Sequence, residues 1–585
     1  MENMVVNRIS ELSRPSPEFP RSFVPNEIDF SNWKNLEPMF KQLLERKLDS
    51  KEALEQWLLD ESELGSVISE EGSRRYIAMT CATDDEEAEK AYLHFVESIE
   101  PKIMPFDHKL NLKFLDCKYL DELDEAHYEV LIRNRRNNVE LFREENIPLD
   151  VEITKLSQEY QKTIGAMTIT FKDKEYTLPQ MGVFLQKKDR EVRRESWQLT
   201  TNRRLEDAEK LDDLFDKMLK LRVQVAKNAG FDNFREYQFR RFGRFDYTPD
   251  DCFSFHNAVE KYVVPLIVQM TEERRKALSL DTVRPWDTAC DRLGREPLRP
   301  FEASDKLVSG CRDIFGNVNA ELGENFQKMI DLGLLDLDSR KGKAPGGYQA
   351  SLSEIRLPFI FMNAVGLNRD VFTLLHEGGH AFHQFAVHNE SILDYRHAPM
   401  EFCEVASMSM ELLGAPYLET FYSPGDAART RREHFEGSII ILSWIAIIDA
   451  FQHWIYNNPD HTVEQRCDQF VSLMERFGSD VDWSGLDDAI RYRWQAQLHI
   501  FEYPFYYIEY GIAQLGALQV WLNSRKNLDN AIEAYKSALR LGGSRPLPDL
   551  FKAAEIEFKF TDDIIEPLMA EVGEEIKRQG EKESR

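Results

Sequence analysis

Two histidines four residues apart, with a glutamate beside the first, are the residues of this sequence best suited to catalysis. They lie in the segment His376-Glu377-Gly378-Gly379-His380, inside an apolar stretch with helical periodicity. Residues i and i+4 of a helix project from one face about 6 Å apart, so both imidazoles can bind one zinc ion at about 2.0–2.1 Å. Glu377 would then lie beside the metal and deprotonate a water molecule. The spacing therefore predicts a hydrolytic zinc site.

The two glycines between these histidines are unusual in a helix, because each lowers helix stability by about 1 kcal/mol relative to alanine. Since glycine has no side chain, Gly378 and Gly379 allow another chain element, or a substrate, to approach the helix closely. The other interpretation of the segment is an ordinary buried helix whose histidines are satisfied by neighbouring groups.

A catalytic zinc ion needs a third protein ligand and keeps a fourth position for water. Three downstream glutamates, Glu401, Glu404 and Glu411, are spaced by three and seven residues and share one helical stripe. Acidic stripes usually face solvent, but this one lies among apolar residues such as Phe402 and Leu412. A buried carboxylate needs a cation or hydrogen-bond donors. We therefore expect one of the three to bind the metal and another to support it.

The composition argues against several classes of function. The chain has 585 residues, with 74 Lys and Arg against 102 Asp and Glu, which gives a formal net charge of −28. Such a surface repels phosphate backbones and anionic lipids, and no basic run with interleaved aromatics offsets it, so we expect no nucleic-acid partner. The longest apolar stretch, residues 439–448, is about half as long as a membrane span and predicts a buried helix instead.

The cysteines and the first residues bear on the cellular compartment. The seven scattered cysteines include no Cys-x-x-Cys pair, which argues against a disulfide framework and against a thiolate zinc site. The first residues lack the apolar run of a secretory signal. We therefore expect a cytoplasmic protein with reduced thiols and no membrane partner. Nothing in the sequence indicates an oligomeric state.

Most of the chain carries helical signals, so the expected fold is mainly α. Residues 205–229 follow a 3.6-residue period, and Gly230 stands where a helix-ending glycine belongs. Strand signals are few. Residues 167–171 and 176–181 predict a short hairpin, and residues 358–364 predict a strand that begins with a proline.

The chain shows no internal repeat and no clear linker. A charged run just before residue 195 is the best candidate for a boundary between regions. We therefore expect a helical N-terminal region with the hairpin over residues 1–190, and a catalytic region with the histidines over residues 191–585.

The metal-site residues resemble the zinc signature of the M3 metallopeptidases, in particular the oligoendopeptidase F and Pz-peptidase branch. In that family the third ligand lies in a Glu-x-x-Ser context about 24 residues after the second histidine. The segment Glu404-Val-Ala-Ser407 stands at that distance from His380. The resemblance thus selects Glu404 as the third ligand and Glu411 as a supporting residue. It implies one zinc ion per chain, held by His376, His380 and Glu404.

A second block, residues 499–511, resembles the segment with which this family contacts its substrate. The resemblance implies that His499, Tyr503, Tyr507 and Tyr510 contact the substrate carbonyl and the tetrahedral intermediate. Which tyrosine donates to the oxyanion stays open, because the spacing from the histidine to the first tyrosine is one residue shorter than in the thimet-oligopeptidase branch. The other interpretation of the block is an aromatic-rich core helix.

The resemblance also implies a fold and an activity. The fold is a large helical zincin-type peptidase with a deep central channel and a small β-sheet beside the zinc helix. In that sheet, the strand at residues 358–364 would run along the bound peptide and pair with it through an exposed edge. The implied activity is that of a zinc-dependent oligoendopeptidase, which hydrolyses internal bonds of short unfolded peptides with Glu377 as general base and acid.

Two alternatives to this activity remain at the sequence level. A dipeptidyl carboxypeptidase or carboxypeptidase would use the same zinc site, and a cationic group for the terminal carboxylate of the substrate would distinguish it. A helical peptide-binding or scaffold protein with a non-catalytic site is the other alternative, and it predicts no stoichiometric zinc.

Overall fold

The computed structural model of the chain describes residue 9 and residues 11–583. Helices make up most of this part of the chain, and the strands within it form two small sheets. The predicted mainly α fold is therefore confirmed.

The elements are numbered in chain order. Up to residue 300 they are α1 (Trp33–Glu45), α2 (Lys51–Cys81), α3 (Glu86–Ser98), α4 (Glu100–Leu115), α5 (Glu125–Leu141), α6 (Ile147–Gly165), β1 (Thr168–Phe171), β2 (Lys174–Thr177), α7 (Leu178–Leu185), α8 (Arg190–Leu205), α9 (Ala208–Asn228), α10 (Phe234–Arg241), α11 (Pro249–Ala258) and α12 (Val264–Ala277). The later elements are α13 (Ser304–Val318), α14 (Ala320–Leu332), β3 (Leu335–Asp338), β4 (Tyr348–Leu352), β5 (Leu357–Ala364), α15 (Asn368–Ala386), α16 (Met400–Gly414), α17 (Pro424–Asn457), α18 (Val463–Phe477), α19 (Asp487–Arg491), α20 (Leu498–Glu502), α21 (Ile508–Lys526), α22 (Leu528–Leu539), α23 (Leu547–Ala553) and α24 (Asp562–Glu583).

The described chain divides into two compact units, each made of three segments. Unit 1 comprises the described residues up to Glu140, Arg299–Ser423 and Gly516–Phe558. Unit 2 comprises Leu141–Leu298, Pro424–Leu515 and the described residues from Lys559. The boundary expected near residue 190 concerns the linear sequence and stays a prediction, since both structural units are discontinuous in sequence.

The N-terminal helices of unit 1 pack around a buried apolar cluster. Trp57 on α2 stacks on Phe114 of α4, with 6.4 Å between the ring centres, and neither side chain is accessible to solvent. The indole nitrogen of Trp57 donates a hydrogen bond to the backbone carbonyl of Leu43 on α1. Burying one large apolar side chain contributes about 1.5–3 kcal/mol, so this interhelical packing stabilises the helices more than their intrinsic propensities do.

The sheet of unit 1 has the strand order β3-β5-β4, with β5 parallel to β3 and antiparallel to β4. The strand predicted at residues 358–364 is confirmed as β5, and Pro358 lies at its beginning, where a missing N–H is tolerated. The expectation that this strand has an exposed edge is wrong, because β5 is the central strand of the sheet and both its edges are paired. Within the described residues, β4 has the free edge on one side of this sheet.

The hairpin of unit 2 is shorter than predicted. β1 pairs with β2 through a two-residue turn at Lys172 and Asp173, which have φ angles of 52° and 63°. The second strand, predicted to reach residue 181, ends at Thr177, and α7 follows directly. Pro179 lies in the first turn of α7, and the side chain of Gln180 accepts a hydrogen bond from the backbone N–H of Thr177 at 2.9 Å. These are helix-start signals.

The helical period across residues 205–229 is confirmed over α9. Gly230 follows this helix with a φ angle of 86°, a left-handed conformation that favours glycine. Leu205 itself ends the preceding helix, α8.

Residues 439–448 lie in α17. Among the described residues, α17 is the one helix long and apolar enough, by length and composition, to cross a membrane, and 72% of its most apolar window is buried inside the protein. The prediction that residues 439–448 form part of a buried helix is confirmed.

Candidate active site

Helix α15 carries the motif residues His376, Glu377 and His380. Its N-terminus is fixed by Asp370, whose Oδ2 accepts hydrogen bonds from the backbone N–H groups of Val365 and Leu367 at 2.8 and 2.9 Å. This contact satisfies N–H groups just before the helix, at the end where a negative charge is favourable. The helix directly follows the central strand β5, so the sheet positions the start of α15.

His376, His380 and Glu404 offer three ligand atoms that all lie within 4.8 Å of one another. Oε2 of Glu404, on α16, lies 3.4 Å from Nε2 of His376 and 3.8 Å from Nε2 of His380. Tetrahedral ligands about 2.0–2.1 Å from a zinc ion lie about 3.4 Å from each other, so this donor set fits a zinc ion. Both histidines are partly exposed, which leaves an open side for water or substrate.

The two glycines of the motif allow close packing around helix α15. A Cβ at Gly379 would lie 2.5 Å from Cα of Ser407 and 2.6 Å from the carbonyl oxygen of Ala406, both in the backbone of α16. A Cβ at Gly378 would lie 2.4 Å from the ring of Phe315. We expected these glycines to allow either another chain element or a substrate to approach the helix. The structure shows the first of these, since Gly379 lets α16 pack closely and brings Glu404 toward the histidines.

Two further side chains orient two of the three converging residues. Oε1 of Glu411 lies 2.8 Å from Nδ1 of His376, and the hydroxyl of Ser407 donates to Oε2 of Glu404 at 3.0 Å. Contacts of this kind fix the ring orientation of a ligating histidine and increase its basicity. Burial opposes the charged form of His376, but the hydrogen bond to Glu411 and the neighbouring carboxylates raise its pKa to about 9. Glu401, which like Glu404 lies on α16, is buried, but it is not one of the three residues whose ligand atoms lie close together.

Glu377 is buried beside the two histidines. Burial raises the pKa of Glu377 to about 7, and Glu404 and Glu411 add to the effect, whereas His376 and the backbone N–H of Gln349 oppose it. A carboxyl group with a pKa near neutrality both accepts and returns a proton readily. Since Gln349 belongs to β4, the strand with a free edge in unit 1 passes next to Glu377.

In unit 2, four tyrosines surround His499. The distances between ring centres are 6.4 Å to Tyr503, 5.8 Å to Tyr506, 4.9 Å to Tyr507 and 5.8 Å to Tyr510. The structure thus brings together all four residues predicted for this block and adds Tyr506, which sequence reasoning passed over. The other interpretation, an aromatic-rich core helix, does not describe the whole block, because α20 ends at Glu502 and α21 begins at Ile508.

The break between α20 and α21 is held by one side chain from helix α17, Gln452, and one from the loop between α10 and α11, Arg244. Phe505 has a φ angle of 68°, a conformation that non-glycine residues rarely adopt. Its backbone N–H donates to Oε1 of Gln452 at 2.9 Å, and Arg244 donates to its carbonyl and, at 2.8 Å, to Glu509. No sequence signal identified Gln452 or Arg244, because each acts through a contact between distant segments.

His499 is also held by a side chain just before it. Nε2 of Gln497 lies 2.8 Å from Nδ1 of His499, and the indole N–H of Trp444 donates to Oε1 of Gln497 at 2.9 Å. Burial lowers the pKa of His499 to about 4, so the imidazole is neutral at pH 7. Burial likewise raises the pKa of Tyr507 to about 12. A neutral histidine and protonated tyrosines are hydrogen-bond donors.

A second group able to hold a metal lies in unit 2. Cys252, Asp449 and His453 place one ligand atom each within 4.8 Å of one another, and all three are buried. Asp449 already has a partner, since its Oδ2 lies 2.8 Å from Nε2 of His256. A catalytic metal keeps a position open to water, which the partly exposed histidines of α15 provide and this buried group does not.

Comparison with known proteins identifies the family. A family model described as Peptidase family M3 matches residues 183–570, and one described as Peptidase M3 N-terminal domain matches residues 23–142. The chain belongs to peptidase family M3. As an M3 peptidase it is a metallopeptidase, a hydrolase of peptide bonds that acts on peptide substrates. The resemblance noted in the sequence is therefore confirmed.

Similar proteins within the family are oligopeptidases. An oligoendopeptidase F homolog from Borreliella burgdorferi is 23% identical over 498 residues, which cover 78% of this chain and 79% of that protein. Oligopeptidase PepF of Bacillus subtilis is 24% identical over 315 residues, or 52% of this chain and 45% of that protein. Among solved structures, Pz-peptidase A with an inhibitor superposes with a TM-score of 0.88 at 28% identity, covering 95% of this chain and 99% of that one.

Proposed function

We propose that this M3 peptidase is a zinc-dependent oligoendopeptidase that cleaves internal bonds of short unfolded peptides. The observation that carries the proposal is the convergence of His376, His380 and Glu404, with 3.4 and 3.8 Å between the glutamate oxygen and the two histidine nitrogens. The names of the relatives, oligoendopeptidase F and oligopeptidase PepF, support short peptides as substrates. A deep channel that admits only unfolded peptides stays a prediction of the family resemblance.

We propose zinc as the metal, with one ion per chain. Two imidazoles and one carboxylate form the donor set of many hydrolytic zinc sites, and a tetrahedral arrangement favours zinc over the other metals that such ligands accept. Bound by these residues, zinc would supply Lewis-acid chemistry, since it polarises a peptide carbonyl and makes a neighbouring water molecule more acidic.

Glu377 is the residue we assign to proton transfer. Its carboxylate would take a proton from the attacking water and later pass this proton to the leaving amine. The position of Glu377 next to His376, and a pKa raised to about 7 by burial, support this role.

His499 and the tyrosines around it are the residues we assign to the carbonyl oxygen. The family resemblance supports the assignment of His499, Tyr503, Tyr507 and Tyr510, and the clustering of their rings in unit 2 is consistent with a common task. Removing one donor to a developing oxyanion typically costs on the order of 10²–10³ in rate.

A reducing compartment suits this protein, and we propose the cytoplasm. All seven cysteines are free, and Cys81, Cys252, Cys290, Cys311 and Cys467 are buried. Free thiols of this number persist where glutathione and thioredoxin keep them reduced.

A peptide blocked at both ends tests the proposed function. The protein, loaded with one equivalent of zinc, is incubated with an N-acetylated, C-amidated peptide of about ten residues, and the products are identified by mass spectrometry. We expect cleavage at an internal bond, and loss of this cleavage after removal of the metal by a chelator. Cleavage that requires a free C-terminal carboxylate and releases one or two residues would instead identify a carboxypeptidase or dipeptidyl carboxypeptidase.

A further inference from the structure

Unit 2 contains a large cavity that the proposed catalytic residues do not account for. Its volume is about 740 Å³, within the range of about 300–1,000 Å³ that is typical of small-ligand sites. Its lining comes from several helices of unit 2 and includes three tryptophans, Trp197, Trp444 and Trp483. We call this the tryptophan–arginine cavity, because arginines complete its wall.

The charged groups that line the cavity do not balance one another. They are Arg204, Arg274, Arg292, Arg493, Glu436 and Glu475. Several are engaged elsewhere: Arg292 pairs with Glu583, and Glu436 pairs with Arg432 at 2.7 Å. The guanidinium groups of Arg204 and Arg493 have no carboxylate within 4.0 Å in the part of the chain that the structure describes. Arg274 donates to the backbone carbonyls of Asp287 and Cys290 rather than to a carboxylate, and Glu475 forms no ion pair in the described chain either. The unpaired groups of the wall are therefore three arginines and one glutamate, an excess of positive charge in a protein whose net charge is −28.

Arg493 is more distinctive than Arg204. Its guanidinium carbon lies 4.9 Å from the ring centre of Trp444 and 5.3 Å from that of Trp483. Burial lowers the pKa of Arg493 to about 10, with no acidic group to oppose the effect. The residue is nevertheless exposed to solvent. The two aromatic faces therefore hold the cation at the wall without neutralising it.

The chemistry of this wall favours one kind of ligand. A guanidinium with no carboxylate partner attracts anions, and its planar set of donors matches the two oxygens of a carboxylate. Tryptophan faces accept apolar and aromatic side chains. A ligand with one carboxylate and an apolar side chain, such as the end of a peptide, fits both features.

The cavity connects to the residues assigned to the reaction through one short chain of contacts. Trp444 lines the cavity, and its indole N–H donates to Gln497, whose amide contacts Nδ1 of His499. Gln495 and the residue after it also line the cavity. A peptide end held there would lie next to the segment that carries His499.

We propose that the tryptophan–arginine cavity binds a carboxylate at the end of the peptide substrate, with Arg493 and Arg204 as the cationic groups that recognise it. The proposal rests on the proposed peptidase function and extends it, since it makes the free C-terminal end of a short peptide a determinant of specificity. The carboxylate can come from the main-chain terminus or from an acidic side chain in the last position.

Three versions of one fluorogenic peptide test the proposal. The peptides share one sequence up to the last residue. Two of them end in the same apolar residue, once as the free acid and once as the amide, and the third ends in glutamate amide. We expect the wild-type enzyme to cleave the free acid with a kcat/KM about tenfold or more above that of the amide, as charge-assisted hydrogen bonds provide. If the glutamate amide is also preferred, an acidic side chain suffices as the source of the carboxylate. If it is not, the main-chain terminus is the source.

Arginine variants locate the effect. Arg493→Gln is expected to lower the ratio of kcat/KM for the free acid to kcat/KM for the amide from about tenfold to about one, and Arg204→Gln should lower this ratio in the same direction. Arg491→Gln is the matched control, because Arg491 lies two residues away and pairs with Asp468 at 2.5 Å. This control should keep the preference. Circular dichroism and the thermal midpoint establish that each variant is folded.

A direct binding measurement tests carboxylate recognition by the cavity independently of the proposed peptidase function. Calorimetry measures the affinity of a three-residue peptide, as free acid and as amide, for the wild-type protein and for Arg493→Gln. Tighter binding of the acid to the wild type alone supports the cavity, even if the enzyme hydrolyses no peptide and the proposed function fails. Equal binding of acid and amide, or an unchanged preference in Arg493→Gln, would overturn the inference even if peptide hydrolysis is efficient.

Discussion

Gln497 holds the imidazole of His499 in one tautomer. The indole N–H of Trp444 can only donate, so the amide oxygen of Gln497, 2.9 Å away, must face it. The amide NH₂ group therefore faces Nδ1 of His499, 2.8 Å away, and Nδ1 accepts. Because the pKa of His499 is lowered to about 4 by burial, the ring is neutral and its proton sits on Nε2. Nε2–H is then free to donate to a substrate oxygen.

Replacing this amide by a carboxylate should reverse the tautomer. In Gln497→Glu, the new carboxylate accepts from Trp444 and also from Nδ1–H of His499, which leaves Nε2 without its proton. The added negative charge also raises the pKa of His499 above about 4. We expect kcat to fall by about 10²–10³, as for a lost oxyanion donor, with little change in KM. The pH–rate profile should gain an ionisation between pH 4 and 7, with the protonated, donating form active at lower pH.

Nitrogen NMR of the histidine side chains checks this assignment, since it reports which ring nitrogen carries the proton. Gln497→Met serves as the control: it removes the hydrogen bond without supplying a charge, so activity should fall less and no new ionisation should appear. A wild-type pH profile retained in Gln497→Glu would contradict a positioning role for Gln497.

The sequence predicts those parts of the site that depend on short-range spacing. His376, Glu377 and His380 share one helical turn, so their geometry follows once the helix is inferred, and the helix itself follows from its apolar period. Gln497 could not be found in this way, because its role depends on Trp444, which lies 53 residues earlier in sequence, on helix α17. The same limit explains why the position of the strand at residues 358–364 was predicted wrongly. The local pattern predicts that these residues form a strand, but their central place in the sheet depends on which distant strands pair with them.

Glu377, the proposed general base, is the first residue to test by direct substitution. Glu377→Gln keeps the size of the side chain and removes its ability to accept a proton, so peptide hydrolysis should fall by about 10²–10⁴. Metal content should not change, because Glu377 is not one of the three converging ligand residues. Glu401→Gln, a buried glutamate outside that group, is the control and should retain activity. Full hydrolysis by Glu377→Gln would disprove the mechanism.

The choice of Glu404 as third ligand leads to a metal-binding prediction. Glu404→Ala removes the oxygen that lies 3.4 Å and 3.8 Å from the two histidine nitrogens, so the variant should lose its zinc on dialysis against a weak chelator. Glu401→Ala, one helical turn earlier, should keep one zinc per chain. Elemental analysis of both variants decides between them, and the reverse pattern would show that the ligand assignment is wrong. Zinc retained by the Glu404 variant together with loss in Cys252→Ser would move the metal to the buried group in unit 2.

The close approach of α15 and α16 at Gly379 should be essential for both stability and metal binding. A methyl group at this position would lie 2.5 Å from Cα of Ser407, and backbone atoms cannot move away as a flexible side chain can. Overpacking of this kind typically costs about 1–3 kcal/mol, so Gly379→Ala should lower the thermal midpoint. It should also weaken zinc binding, because α16 carries Glu404 and a shift of this helix displaces the ligand oxygen.

Gly437→Ala is the matched control for this substitution. Gly437 lies in helix α17, and no neighbouring atom lies within 4 Å of the position that its Cβ would occupy. Alanine there should therefore stabilise the protein by up to about 1 kcal/mol through its higher helix propensity. Opposite shifts of the thermal midpoint in the two variants would assign the effect at Gly379 to the contact with α16. If Gly379→Ala instead matches the control in both thermal midpoint and zinc affinity, the helices do not need this close approach to bring Glu404 to the histidines.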